Sequence, residues 1–196
     1  MKQGLIGEVT SIDFSLQWDQ TWTQGIPSCE EMKHLILFDF AIRWFDITAC
    51  LMNVQKPVSI FASVARHAGQ VFKPPALASL SIEYPDTQVR MSFNAHCKQG
   101  EEDVTTVVGT KGTLRSRGPG LNEQSSMDVF LEEGSATVPL HGCWFASGLQ
   151  GSMGELLSAL EEDRAPNHSA RNNLKTLDLC FNAIKSADNG IPVHFE

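Results

Sequence analysis

The longest apolar run in the chain is Glu30 to Met52, EEMKHLILFDFAIRWFDITACLM. Asp39, Arg43 and Asp46 interrupt it at i, i+4 and i+7. At about 3.6 residues per turn these three positions fall within about 60° of one another on a helix. The pattern therefore predicts one long apolar helix carrying a single polar stripe. Ser28-Cys29-Glu30-Glu31 has the S-x-x-E form of a capping box and marks the expected helix start; the expected end is near Asn53. Burying a charge is costly unless it is paired or used. Two readings of the stripe follow. It faces a site, or Asp39, Arg43 and Asp46 form an ion-pair ladder that satisfies itself. A surface ladder of i, i+4 pairs contributes only about 0.2–0.5 kcal/mol per pair, a weak reason to break an apolar helix, so the site-facing stripe is favoured.

Elsewhere the period is two. Thr10, Ile12, Phe14, Leu16 and Trp18 alternate with Ser11, Asp13, Ser15 and Gln17, which predicts a strand with one buried face. A loop from Gln17 to Pro27 carries Trp18 and Trp22. A loop tryptophan must bury its ring, so Trp22 is either a lid over the core edge or a platform for a sugar ring. Val58, Ile60, Ala62 and Val64 predict a second strand after Pro57. Three hairpins follow: Ser79–Tyr84 with Gln88–Cys97, Val104–Val108 with Thr113–Arg115, and Met127–Leu131 with Ala136–Pro139. The segment from Arg117 to Ser125 reads as a loop. Sequential hairpins imply a mainly antiparallel sheet. Two amphipathic helices close the chain, one marked by Met153, Leu156, Leu157 and Leu160, the other by Leu174, Leu177, Phe181 and Ile184. Ser169 is the expected N-cap of the second and Asn189-Gly190 its stop. Both are expected to lie on one face of the sheet, giving an α+β sandwich without internal repeats.

A length of 196 residues suits a single domain, 1–196, with an ample core. The net charge of −8, without a basic cluster, argues against nucleic acid and anionic membrane surfaces. Three charges inside the apolar run, at about 2.5–3.5 kcal/mol each on insertion scales, argue against a membrane span. The five cysteines, Cys29, Cys50, Cys97, Cys143 and Cys180, are scattered and odd in number, which reads as reduced thiols in a cytoplasmic protein. No histidine pair has metal-ligand spacing, so no metal site is expected.

Several motif look-alikes carry no chemistry. Gly109-Thr110-Lys111-Gly112-Thr113 lies between strands and reads as a hairpin turn, not a phosphate loop. Gly148, Gly151 and Gly154 do not have dinucleotide-fingerprint spacing. Gln55-Lys56-Pro57 opens a strand. No Ser/His/Asp set sits at a nucleophile elbow. The residues alone show no complete catalytic site.

Four stretches in order resemble the C-terminal domain of the Gfo/Idh/MocA family of NAD(P)-dependent oxidoreductases. Gly4-Leu5-Ile6-Gly7-Glu8-Val9 resembles the G-x-I-G-x-V run that opens that domain. The segment from Leu37 to Asp46 resembles the family's L-x-D-x-G-x-H-x-x-D motif. Val108 to Thr113 resembles its G-T-x-G turn, and Gly151 to Leu156 with Ser186 to Gly190 resembles its closing helices. The resemblance implies an open, mostly antiparallel sheet with helices packed on one face, a dihydrodipicolinate-reductase-like α+β fold. It implies a homo-oligomer formed through the free sheet face, and a small sugar-like substrate. The family's Rossmann domain, which binds the nicotinamide cofactor, has no counterpart in these residues. No cofactor is therefore expected in this chain, and NAD or NADP is expected only if it is joined to such a domain; the chain begins as though something upstream were missing.

Within the motif, Asp39 falls on the family's first aspartate and Ala41 replaces its glycine. Arg43 falls where the family usually has its catalytic histidine. A histidine titrates near neutrality and can take a proton from a hydroxyl. A guanidinium cannot act as a general base, although it can hold an oxyanion or carboxylate bidentately. The resemblance thus implies Arg43 and Asp39 at the catalytic position, with Asp46, Trp18, Trp22 and Trp144 as substrate-binding residues. The function implied is the substrate-binding and oligomerisation domain of a sugar- or polyol-type oxidoreductase, inactive alone. The alternative is a stand-alone, non-catalytic binding or dimer-assembly module.

Overall fold

Alternation of small polar and large apolar residues builds nine strands into one sheet in a computed structural model that describes residues 4–52, 55–120 and 124–196. The strands are β1 (Val9–Gln17), β2 (Ser59–Ala65), β3 (Leu77–Glu83), β4 (Gln88–Asn94), β5 (Glu102–Gly109), β6 (Gly112–Gly118), β7 (Ser126–Leu131), β8 (Gly134–Pro139) and β9 (Val193–His194). Their order across the sheet is β8-β7-β6-β5-β1-β4-β3-β2-β9. The hairpins fall where the alternation places them. Every pairing is antiparallel except one: β1 lies parallel to β4, with Phe14 opposite Met91 and Leu16 opposite Phe93. Two sheet faces result. One buries Ile12, Phe14, Leu16, Leu80, Ile82, Val89, Met91 and Phe93 under the helices. The other presents Ser15, Ser92, Ser79 and Ser63 side by side in register across four strands.

The expected helix over Glu30 to Met52 is not continuous. A short helix α1 spans Pro27–Glu31, capped by the extended backbone of Ile26 without a side-chain bond. Proline suits a first helical position, where its missing N–H has no partner to lose. Ser28 therefore lies inside the helix, and the capping box does not form. Glu30 accepts instead from the backbone N–H groups of Gly25 (3.3 Å) and Lys73 (2.9 Å), bracing two loops. Met32 turns extended at φ −80° and ψ 97° and breaks the chain out of the helix. A π-helical turn over Ile36–Ala41 then leads into α2, Ile42–Leu51. The expected end near Asn53 lies outside the described residues, as do Met1–Gln3 and residues 121–123 of the expected loop. Phe40, Phe45 and Trp44 point into the core, where Phe40 and Trp44 each meet Phe93 edge-on at 5.7 and 5.6 Å.

Helix α4 (Ala170–Asn189) begins at Ser169, whose hydroxyl accepts from Asn172 N–H at 3.3 Å, and stops at Gly190 in the left-handed region (φ 67°), both as the sequence predicts. It packs on β2 and α2. The Ser186 hydroxyl accepts from Ala62 N–H at 3.0 Å. Helix α3 (Trp144–Glu161) departs from expectation. It buries Ala159 alone, while Phe145 and Leu160 stand 60% and 70% exposed, so its apolar side is not packed on the sheet. Glu155 and Arg164 clamp the turn that leads from α3 to α4, at 2.6 and 3.2 Å. Among the described residues no helix is long and apolar enough to cross a membrane.

Candidate functional site

The π-helical turn decides how the polar stripe is used. One extra residue in that turn shifts the hydrogen-bond ladder, a deviation that recurs at functional sites. The Arg43 guanidinium donates through Nη1 to the backbone carbonyl of Asp39. Among the described residues, neither Asp39 nor Asp46 forms an ion pair with Arg43. The self-satisfying ladder is therefore not formed. Asp39 accepts instead from the buried Gln20 Nε2 at 3.4 Å. The Asp46 carboxylate accepts at 2.9 Å from the hydroxyl of Thr176, a fully buried residue of α4.

Arg43 and Asp46 open into a cavity of about 270 Å³. Trp144, Asn173 and Thr176 complete its polar and aromatic lining, with Ile42 and Ile47. Trp144 is set by its neighbour Trp44, whose ring lies 6.0 Å away and is fully buried. The structure thus brings together Arg43, Asp46 and Trp144. It does not bring the other three candidates to this cavity. Asp39 orients Arg43 through its carbonyl. Trp18 stacks on Phe40 at 5.3 Å and 19° and belongs to the edge of the core. Trp22 is 54% exposed on the turn Thr21–Thr23 and lines no part of this cavity.

Sequence reasoning missed Asn173 and Thr176. Thr176 sits 130 residues from its partner Asp46 on α2, and a polar pair at i and i+3 on a helix is an ordinary solvent-face signature. The nearby thiols titrate in opposite directions. Burial, then the Asp46 charge, pushes Cys50 up, whereas backbone N–H groups of Ser147 and Ala146 at the start of α3 hold Cys143 down.

Other polar clusters have structural partners. His67 and His96 share a 2.9 Å hydrogen bond that ties the loop after β2 to the end of β4. A second cavity of about 430 Å³ lies beside the end of α2, with Lys56, Tyr84, Lys175 and Asp178 on its walls; burial pushes Tyr84 up to about 12. Among the described residues no three His, Cys, Asp or Glu side chains converge as metal ligands.

The glycines of the phosphate-loop look-alikes have other uses. Gly109 and Thr110 form the β5–β6 turn that clasps the Gly4–Glu8 segment: Thr110 N–H donates to Glu8 O (2.9 Å), Lys111 N–H to Ile6 O (2.9 Å), and Glu8 N–H to the Thr110 hydroxyl (3.1 Å). Gly148, Gly151 and Gly154 lie within the exposed helix α3. Neither set offers the strand-to-helix cradle that a dinucleotide pyrophosphate needs.

Three solved structures share the fold. An oxidoreductase from Agrobacterium radiobacter, in complex with NAD+, L-tartaric acid and magnesium, superposes at a TM-score of 0.81 with 22% identity over 98% of this chain. Levoglucosan dehydrogenase in complex with NADH gives 0.80 at 13% identity over 100%. The WlbA dehydrogenase from Bordetella pertussis, in complex with NADH and UDP-GlcNAcA, gives 0.71 at 15% identity over 100%. This chain spans only 58%, 60% and 58% of those three chains, respectively. No curated protein sequence matches it. The sequence model described as the GFO/IDH/MocA C-terminal domain matches residues 1–115, the stretch that holds the clasped N-terminal turn, the π-helical motif and the first six strands up to the middle of β6. With the motif, its setting and the whole sheet in agreement, the chain belongs to the GFO/IDH/MocA C-terminal domain family.

Proposed function

We propose that this chain is the substrate-binding and oligomerisation part of an NAD(P)-dependent oxidoreductase acting on a sugar- or polyol-type compound. The observation that carries the reading is the convergence of Arg43, Asp46 and Trp144 on one cavity at the family's catalytic motif. In this reading the Asp39 carbonyl fixes the guanidinium, Arg43 holds an oxygen of the substrate, and Asp46 accepts from a substrate hydroxyl. Trp144 offers an aromatic wall to the C–H face of the ring. Because the chain spans about three fifths of its structural relatives and its own glycine turns do not fit a dinucleotide, the nicotinamide cofactor would be held by a further domain. That cofactor supplies the hydride acceptor; this chain binds and orients.

The free sheet face supports the oligomerisation half of the proposal. Its serine row presents small side chains, the Arg90–Asp13 ion pair (2.7 Å) neutralises its centre, and Phe61 and Phe130 are exposed on it. A neutralised face of small side chains with a few aromatic anchors suits a second copy of the chain. Sedimentation should give a dimer, and Ser79→Arg, in the middle of the row, should give monomers.

The catalytic half is tested by joining the chain to the Rossmann domain of a relative and assaying NAD(P)H formation with sugars and polyols. Turnover lost in Arg43→Gln supports the proposal. A folded hybrid that binds NADH yet turns over none of them, even with Arg43→His, would favour a non-catalytic binding module, the reading to which the arginine at a histidine position points.

A further inference from the structure

We infer that the Arg43 cavity takes a carboxylate-bearing polyhydroxy compound, a sugar acid, in preference to a neutral sugar or polyol; this rests on the reading of that cavity as the substrate site.

The argument starts from charge. Arg43 is half-buried and commits one N–H to the Asp39 carbonyl, which fixes its plane and removes no charge. A guanidinium carries five N–H donors. Among the described residues no protein carboxylate is paired with it. The acid beside it, Asp46, is tied by Thr176 to the other wall of the cavity. A partly desolvated cation without a counter-charge is costly. Neutral hydroxyls would satisfy its donors but leave that charge in place. A carboxylate satisfies both, through two parallel N–H···O bonds.

The rest of the cavity suits the remainder of such a molecule. Asp46 accepts from hydroxyls, the Asn173 amide donates and accepts, and Trp144 packs against C–H bonds. At about 270 Å³ the space falls just below the range of drug-sized pockets, about 300–1,000 Å³, which fits a small acid better than a nucleotide sugar. The overall charge of −8 does not exclude an anion, because fields from distant surface charges are screened within about 8 Å at physiological salt.

The test is calorimetric titration of the 196-residue chain with sodium D-gluconate and with D-glucitol, which differ at one terminal carbon. Gluconate should bind at least about tenfold more tightly, and its affinity should fall as NaCl rises. Arg43→Gln should erase the preference, and Arg43→Lys, which keeps the charge but not the fork, should retain part of it. Circular dichroism of each variant establishes that it is folded. Equal, Arg43-dependent affinities for both compounds would overturn the acid preference and leave the site standing. Binding of neither would overturn the site reading and this inference together. A gluconate preference that survives in folded Arg43→Gln would place the anion elsewhere and refute the role of Arg43.

Discussion

Substituting Gly109 by alanine tests the clasp between the N-terminal turn and the β5–β6 hairpin. A Cβ at this position would stand 2.1 Å from Ile6 O, 3.0 Å from Ile6 C and 3.1 Å from Glu8 O. All three are backbone atoms, so no side chain can swing aside. Ile6 is 1% exposed, so moving it uncovers core. Overpacking of this kind costs about 1–3 kcal/mol. Displacing Ile6 and Glu8 also weakens the three clasp hydrogen bonds, at about 0.5–1.5 kcal/mol each when fully lost. Against this, alanine stiffens the unfolded chain and returns about 0.4–1 kcal/mol. The net expectation is about 2–3 kcal/mol of destabilisation. For a chain of this length that lowers Tm by about 4–12 °C. The assay is thermal and urea unfolding followed by far-UV circular dichroism. Gly148→Ala serves as the control, because a Cβ there meets nothing within 4 Å inside α3, and it should leave stability unchanged or raise it by up to about 1 kcal/mol. A Gly109→Ala protein that melts within about 1 °C of wild type would refute the reasoning.

Asp103 is 2% exposed, its Oδ2 accepts from Gln124 at 2.7 Å, its Oδ1 has no partner, and burial pushes it up to about 6. With the folded value above the unfolded one of about 3.9, the folded state binds the extra proton, so stability falls as pH rises from about 4 to about 6. Asp103→Asn should flatten that slope and stabilise the protein at pH 7 by about 1–3 kcal/mol, measured by urea unfolding at each pH; an unchanged slope would assign it to other groups. Cys143, exposed and held down by the first N–H groups of α3, should react with iodoacetamide ahead of exposed Cys50 and buried Cys180, both pushed up; peptide mass mapping at neutral pH reads the order, and Cys50 reacting first would contradict it. Thr176→Val should cost about 0.5–1.5 kcal/mol and free Asp46 to approach Arg43, weakening gluconate binding; unchanged affinity would mean that Thr176 does not hold the two charges apart.

The strands were legible because their signal is local. Alternation across Val89, Met91 and Phe93 fixes a face whatever lies next to it. The α4 boundaries were legible for the same reason, since Ser169 and Gly190 act on their own neighbours. The break at Met32 and the π-helical turn were not, because the residues from Leu35 to Phe45 keep an apolar pattern that a straight helix would also satisfy. The capping-box letters misled because Pro27 had already started α1 one residue earlier. Parallel pairing of β1 with β4, and the two-residue β9 on β2, carry no local mark at all. At the site, the sequence placed Arg43 and Asp46 on one face but not the α4 residues opposite, because a contact across 130 residues leaves no periodic trace. The apolar stripe of α3 predicts a helix lying on the sheet, yet it is exposed, since periodicity reports that a face seeks cover, not what covers it.

The central position of β1 has a consequence for how the chain acquires its structure. One meander runs from β2 to β4 and another from β5 to β8, and their strands pair with sequence neighbours. Among the described residues only β1 joins them: Ser11 must find Gln88 on one side and Val9 must find Gly109 on the other. β1 precedes both meanders in the chain yet can be seated only once both have formed, so the slow step of folding should be the closure of this seam, governed by long loops and high contact order. Until then two half-sheets wait with open edges. A β1 from a neighbouring chain fills the gap as well as its own does, which makes exchange of β1 the characteristic misfolding route of this molecule at high concentration.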